Sequence, residues 1–155
     1  MGRRRKAREC ALQLLFQLEF DDTDPERSIS QFWLQKRVSE DVKDYSAWLV
    51  SGILSHEQEI DDIIQSTSSH WRIPRMAVVD RNILRIAVFE LLYEPHVAPA
   101  VIINEAIEIA KKYSSEDAAS FVNGVLDGVR KRFEEKTGRK KEGKNVRRKE
   151  EPEEK

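Results

Sequence analysis

The segment Arg75–Tyr93 constrains the fold more than any other part of the chain, because it is apolar almost all the way round. Val78, Val79, Ile83, Leu84, Ile86, Ala87, Val88, Phe89, Leu91 and Leu92 cover most of a helical circumference. A helix at the surface shows one apolar stripe. One that is apolar on every side must be surrounded, so it lies in the middle of a bundle.

The flanking sequence reads as the helices that surround it. At about 100° per residue, Ala7, Cys10, Ala11, Leu14, Leu15 and Leu18 share one face of a first helix, while Leu12 and Phe16 fall outside it. Asp24 before Pro25 is an N-cap with proline at the first helical position, opening a second helix to about Val38. Ser39 caps a third, with Val42, Tyr45, Leu49 and Ile53 as its stripe. Gly52 permits close packing or a bend, and His56 marks a break before a helix carrying Ile60, Ile63 and Ile64. Residues 66–74 are rich in Ser and Thr and end at Ile73-Pro74, where a helix stops. Trp71 is expected there as a plug between two bundles. Pro95 and Pro99 bracket a connection into a helix over 99–113, with Val101, Ile102, Ala106, Ile109 and Tyr113 inward. Glu105, Glu108, Lys111 and Lys112 lie outward, Glu108 and Lys112 as an i,i+4 pair. Ser114 to Asp117 reads as a capping sequence, and Ala118, Phe121, Val122, Val125, Leu126, Val129 and Phe133 form the last stripe. Asn123 and Asp127 point elsewhere.

The expectation is an all-α fold of seven helices. A basic arm, 1–8, leads into helix 1; helical subdomains span 9–73 and 74–137; a charged tail, 138–155, is expected to be disordered.

The net charge of −1 conceals a strong polarity. Arg3, Arg4, Arg5, Lys6 and Arg8 give the first eight residues +5, residues 131–155 carry +4, and the body between them carries −10. A basic arm suits a phosphate backbone, and an acidic body suits a basic protein. Phe16 lies eleven residues after Arg5 and nearly superimposes on it, roughly opposite Leu14, so an aromatic ring is aligned with the arginines off the core face. It can stack on an unpaired base, or pack against a second subdomain. A solvated tail is the competing reading of the arm.

Several function classes find no support. No apolar run approaches a membrane span, and Glu9, Gln13 and Gln17 interrupt what would be a signal peptide's apolar stretch. The single cysteine, Cys10, reads as a buried hydrophobe in a reducing, cytoplasmic setting. His56, His70 and His96 are scattered, with no metal-ligand spacing. Asp21, Asp22 and Asp24 read as a solvated acidic turn, and Asp61-Asp62 as a solvent face. No glycine-rich phosphate loop or nucleophile elbow occurs. The expectation is no cofactor, no metal and no catalysis. Asp80, in the first turn of the apolar helix, is explained at this level by the helix dipole.

Four strings sharpen the reading. RRRKARECALQLLFQ at 3–17, VVDRNILRIAVFELLY at 78–93, INEAIEIAKKY at 103–113 and FVNGVLD at 121–127 occur in that order. Together they resemble the NusB family of bacterial transcription antitermination factors. The chain's end soon after FVNGVLD favours a free-standing member over the NusB-like domain of ribosomal RNA methyltransferases. The resemblance implies seven helices in two subdomains. It implies binding to boxA RNA of nascent ribosomal transcripts with NusE, the small-subunit ribosomal protein, and assembly with NusA, NusG and RNA polymerase. By position, Arg3, Arg4, Arg5, Lys6 and Arg8 match the family's RNA-binding arm, and Phe16 stands where relatives often have tyrosine. Tyr113, Asp117 and Phe121 match a second RNA-contacting cluster; Asn123 lies in the matching FVNG string, and Asp80 matches an acidic site on the NusE surface. Some members self-associate, so a homodimer is left open. The alternatives are a noncatalytic helical interaction module and an RNA-binding partner of an enzyme that modifies ribosomal RNA.

Overall fold

The computed structural model describes residues 2–21, 24–68 and 70–150, with side chains described as far as Glu134. Seven α-helices and one 3-10 turn follow in order, and no strand occurs among the described residues. They are α1 (Gly2–Glu19), α2 (Pro25–Gln35), α3 (Glu40–Ser55), α4 (Glu57–Thr67), the turn Ile73–Arg75, α5 (Val78–Tyr93), α6 (Pro99–Tyr113) and α7 (Glu116–Glu150).

α5 is the central helix, as its composition requires. Residues 82–90 are all buried, and the helix packs against α1, α3, α4, α6 and α7. The most extensive pairings are α6 with α7 and α1 with α3. The buried apolar side chains form one cluster that draws on every helix.

Local chemistry explains several boundaries. Asp24 accepts a hydrogen bond from the Glu26 N–H at 3.4 Å, with Pro25 opening α2. α2 stops at Gln35, three residues short of the expected end. At His56 the chain turns from α3 into α4, its N–H donating to the Gly52 and Ile53 carbonyls. Gly52 serves close packing: a Cβ there would collide with the Phe89 ring. Ser39 occupies the N-cap position of α3, but its hydroxyl donates to Asp41 instead of capping the backbone. Ser115 does cap α7, accepting from the Ala118 N–H at 3.0 Å.

Other expectations need correction. Leu12 is buried, because α1 is covered by α3 on one flank and α5 on another. On α6 the faces are turned: Val101 is half-exposed, while Glu105 is buried, drawn inward by two arginines of α1. Lys112 pairs with Glu9 across helices rather than with Glu108. Asp61 is no solvent-face residue, since it holds Arg85 in a two-point pair at 2.9 and 3.0 Å. α7 is helical to Glu150, through most of the segment expected to be disordered. That segment is rich in Lys, Arg and Glu, which favour helix without needing a core. Its last residues, 151–155, lie outside the described residues, as does Asp22 of the acidic turn.

Candidate nucleic-acid interface

The basic arm is not a separate arm but the opening turns of α1. Each of its arginines faces a carboxylate from elsewhere in the bundle. Arg3 meets Asp41 at 2.6 Å, and Arg4 lies 3.6 Å from Glu94 with its guanidinium 3.8 Å above the Tyr45 ring. Arg5 makes a two-point pair with Glu105 at 2.8 and 2.7 Å. Arg8 is 4% exposed and makes another with Glu90, which is 1% exposed, at 2.8 and 3.0 Å. Tyr45 donates its hydroxyl to the same carboxylate. Burial, reinforced by that bond, pushes the Tyr45 phenol well above its ordinary value. Two buried ions that satisfy one another at two points form a structural element. Arg8, expected to meet a phosphate, is therefore closed to one in this structure. Arg3 and Arg4 are exposed, and Lys6 is exposed without an ion pair among the described residues.

The opposite end of α1 is built differently. α1 and α6 run in the same direction, with Arg5 beside Glu105 and Glu9 beside Lys112. Phe16, seven residues and about 10 Å beyond Glu9, therefore lies past the end of α6. Glu19 binds Arg81 and Arg85, which ties this end of α1 to the start of α5. Phe16 is 43% exposed and packs on the more exposed Phe20, ring centres 5.0 Å apart.

Between the start of α5 and the turn from α6 into α7 lies a groove of about 290 Å³. Its walls include Trp71, Arg75, Asp80, Ser115, Asp117 and Phe121. Trp71 is 56% exposed and meets Phe121 edge to face at 6.2 Å, so it lines a groove rather than plugging a joint. One oxygen of Asp80, Oδ1, is buried without a hydrogen-bond partner among the described residues. Asp117 is exposed on the facing turn.

The expected site residues thus separate into groups. Asp117 and Phe121 share the groove with Asp80, which the sequence assigned to a different surface. Tyr113, half-buried, lies just before the same turn, with the Lys112 ammonium 5.3 Å from its ring centre. Asn123 is exposed on α7. Arg3, Arg4, Arg5 and Lys6 stand at the far end of α1. Sequence reasoning missed Phe20, Arg75 and the exposed role of Trp71. For Phe20 the signal was its i,i+4 spacing from Phe16. Among the described residues no cluster of three or more His, Cys, Asp or Glu could hold a metal, and no helix is long and apolar enough to cross a membrane.

Fold and surface together define a small all-helical module with a charged helix start at one end and an aromatic, acidic groove at the other. Residues 5–131 match the sequence model of the NusB family, and the chain belongs to that family. It is 48% identical over 129 residues to the transcription antitermination protein NusB of Anaeromyxobacter dehalogenans, covering 83% of this chain and 90% of the relative. Its fold is similar to NusB of T. maritima, with a TM-score of 0.76 at 40% identity, covering 83% of this chain and 90% of that one. It is also similar to a chain from a crystal structure of NusB and NusE in complex with double-stranded RNA. There the TM-score is 0.75 at 32% identity, covering 84% of this chain and 98% of the other.

Proposed function

We propose that this chain acts in transcription antitermination as a noncatalytic adaptor in the cytoplasm. It binds boxA RNA of nascent transcripts together with NusE and joins NusA, NusG and RNA polymerase. The observation that carries the reading is the likeness to a chain of the NusB–NusE–RNA structure over 98% of that chain's length.

The geometry supports a division of labour. Arg3 sits in an exposed pair of the kind that adds little stability, so a phosphate can take the place of the carboxylate; Arg4, itself exposed, lies 3.6 Å from the largely buried Glu94, beyond hydrogen-bond distance, and stays open to a phosphate. Lys6 is exposed and has no ion pair among the described residues, and Arg5 is half-available beside Glu105. Arg8 shapes the surface from beneath. Phe16, Tyr113 and Phe121 offer rings to splayed bases, and Asp117 accepts hydrogen bonds from a base edge. Asn123 orders the turn beside them. NusE, a basic partner, meets the acidic body near Asp80. A homodimer that covered this face would hold the protein inactive.

The test is fluorescence anisotropy of a labelled boxA-type RNA and a scrambled RNA, with and without NusE, across a salt series. Preferential binding of boxA that NusE tightens is the expected result. Equal, steeply salt-dependent binding of both RNAs, indifferent to NusE, overturns the reading in favour of a polycationic surface.

A further inference from the structure

The two basic segments of the sequence come to one end of the molecule. α1 and α6 run in the same direction, with Arg5 beside Glu105 and Glu9 beside Lys112. Only Ser114 and Ser115 separate α6 from α7, and no two helices pair more extensively, so α7 runs back along α6 as the second half of a helical hairpin. α6 is 15 residues long, so α7 draws level with its start at about Arg130. Phe133 is the last described residue packed against the core. From there α7 continues as helix over residues 135–150, about 24 Å, past the end of the bundle at which α1 begins.

The charge pattern of α7 changes where the helix leaves the bundle. Inside it, cations are answered one turn away: Lys131 pairs with Asp127 at 3.3 Å and Arg130 with Glu134 at 2.8 Å. Beyond Glu134, residues 135–150 hold eight Lys or Arg against three Glu. Lys136, Lys140, Lys144 and Arg148 follow at four-residue steps, with Arg147 next to the last, a slowly turning line of cations along the helix. No Asp or Glu stands three or four positions from Lys136, Lys140 or Lys144. Lys and Arg favour helix individually, but like charges at i,i+4 oppose it, and Gly138 and Gly143 oppose it further. No apolar stripe compensates, since Val146 is the one apolar residue from 135 to 150. A polyanion laid along such a helix turns its repulsion into attraction. The stretch begins just past residue 131, where the family match ends, so the shared fold does not account for it. A line of evenly spaced cations on flexible stems, with no pocket, suits a phosphate backbone better than a shaped protein surface. Arg3, Arg4 and Lys6 are exposed at the same end of the bundle.

We propose that α7 beyond Glu134 is a second RNA-contacting surface, which holds the phosphates of single-stranded RNA flanking the recognised sequence and does not read its bases. Lys136, Lys140, Lys144, Arg147 and Arg148 carry the contact, and RNA firms the helix as it binds. The inference rests on the RNA-binding reading above and adds to it a separate surface with a sequence-independent role.

The test uses the full chain and a variant of it carrying Lys136→Gln, Lys140→Gln, Lys144→Gln and Arg148→Gln. All four positions lie past Phe133, so the thermal melt of the bundle is expected to be unchanged. Three labelled RNAs are titrated by fluorescence anisotropy across a salt series: a boxA-type RNA, the same RNA lengthened on both sides by unstructured nucleotides, and a scrambled RNA. The wild type binds the lengthened RNA more tightly than the short one. Its slope of log affinity against log salt steepens by about 0.7 for each added phosphate contact, or about 3 for four contacts. The variant binds short and lengthened RNA alike and keeps the wild-type preference for boxA over the scrambled sequence. Circular dichroism gives a second reading: lengthened RNA raises the helix signal of the wild type and leaves that of the variant where it was. Equal slopes for the two RNAs with the wild type, its boxA preference intact, overturn the α7 contact alone. An equal gain from lengthening in wild type and variant also overturns it, because other cations then hold the flanking RNA. Tighter binding by the variant overturns it in favour of an extension that folds over the acidic body or a protein partner. Loss of the boxA preference in a variant with an unchanged melt overturns its sequence independence. Failure of the wild type to prefer boxA overturns both readings.

Discussion

At the start of α1, four arginines each meet a carboxylate from another part of the chain: Asp41, Glu94, Glu105 and Glu90. At its other end, Phe16 and Phe20 face solvent, and across the neighbouring groove Trp71 is exposed while Asp80 keeps a buried oxygen without a donor among the described residues. The first region carries most of the formal charge of the N-terminus, yet much of that charge is already neutralised inside the molecule. The second carries little net charge but offers rings, acceptors and, at Arg75, a guanidinium without an ion pair among the described residues. A count of basic residues therefore overstates what the first region can give a ligand and says nothing of what the second can. Electrostatic potential at a surface depends on which charges remain unpaired.

Perturbing each region in turn breaks or sharpens that contrast. The largest effect is expected for Arg8→Ala, which strands the Glu90 carboxylate in the core. Removing one partner of a buried pair costs about 3–5 kcal/mol, and urea unfolding should show a loss of that size. Unchanged stability would mean that Arg8 is not the structural residue described here. Phe16→Ala comes next, with about 1–3 kcal/mol lost from RNA binding and no change in the melt, because the ring is half-exposed. A lowered melting temperature with unchanged RNA affinity would assign Phe16 to packing.

A smaller effect concerns pH. The Arg5 guanidinium, hydrogen-bonded to Glu105, holds that carboxyl below the usual carboxylate range. The folded value lies below the unfolded one, so the stabilisation is complete above the unfolded value. It is lost as pH falls through the folded value. Glu105→Gln should accordingly flatten part of the acid-side loss of stability and leave the neutral-to-alkaline limb unchanged. An identical acid limb in the variant would show that the pair contributes nothing to acid sensitivity. The smallest effect is expected at Arg3, whose pair with Asp41 is exposed. Arg3→Ala should leave the melt unchanged and make the slope of log affinity against log salt shallower by about 0.7, one phosphate on a single strand.

Much of the architecture was legible in the sequence, and the reasons for the exceptions are physical. The all-round apolar character of residues 78–92 places α5 at the centre, and proline and serine signals locate the starts of α2, α6 and α7. What a helical wheel cannot supply is the pairing of charges distant in sequence. Glu90 sits inside an apolar helix, a sign that a buried cation must answer it. Nothing local says that the cation is Arg8, 82 residues earlier. The same long-range pairing turns Glu105 inward and Val101 outward, against the apparent amphipathicity of α6. The groove was half legible. The family resemblance points to Asp117 and Phe121, whereas the sequence reads Trp71 as a plug, because an aromatic beside a connection looks alike whether it faces inward or outward.

The most direct test is an amide and side-chain nuclear magnetic resonance titration of the labelled protein with boxA-type RNA. The indole N–H of Trp71, assigned by its absence in Trp71→Phe, should shift together with amides of residues 113–123. The Arg8 side-chain Nε–H should stay where it is. Movement of the Arg8 signal with stationary amides over 113–123 would contradict the account, because RNA would then have to break the buried Arg8–Glu90 pair and would leave the turn into α7 untouched.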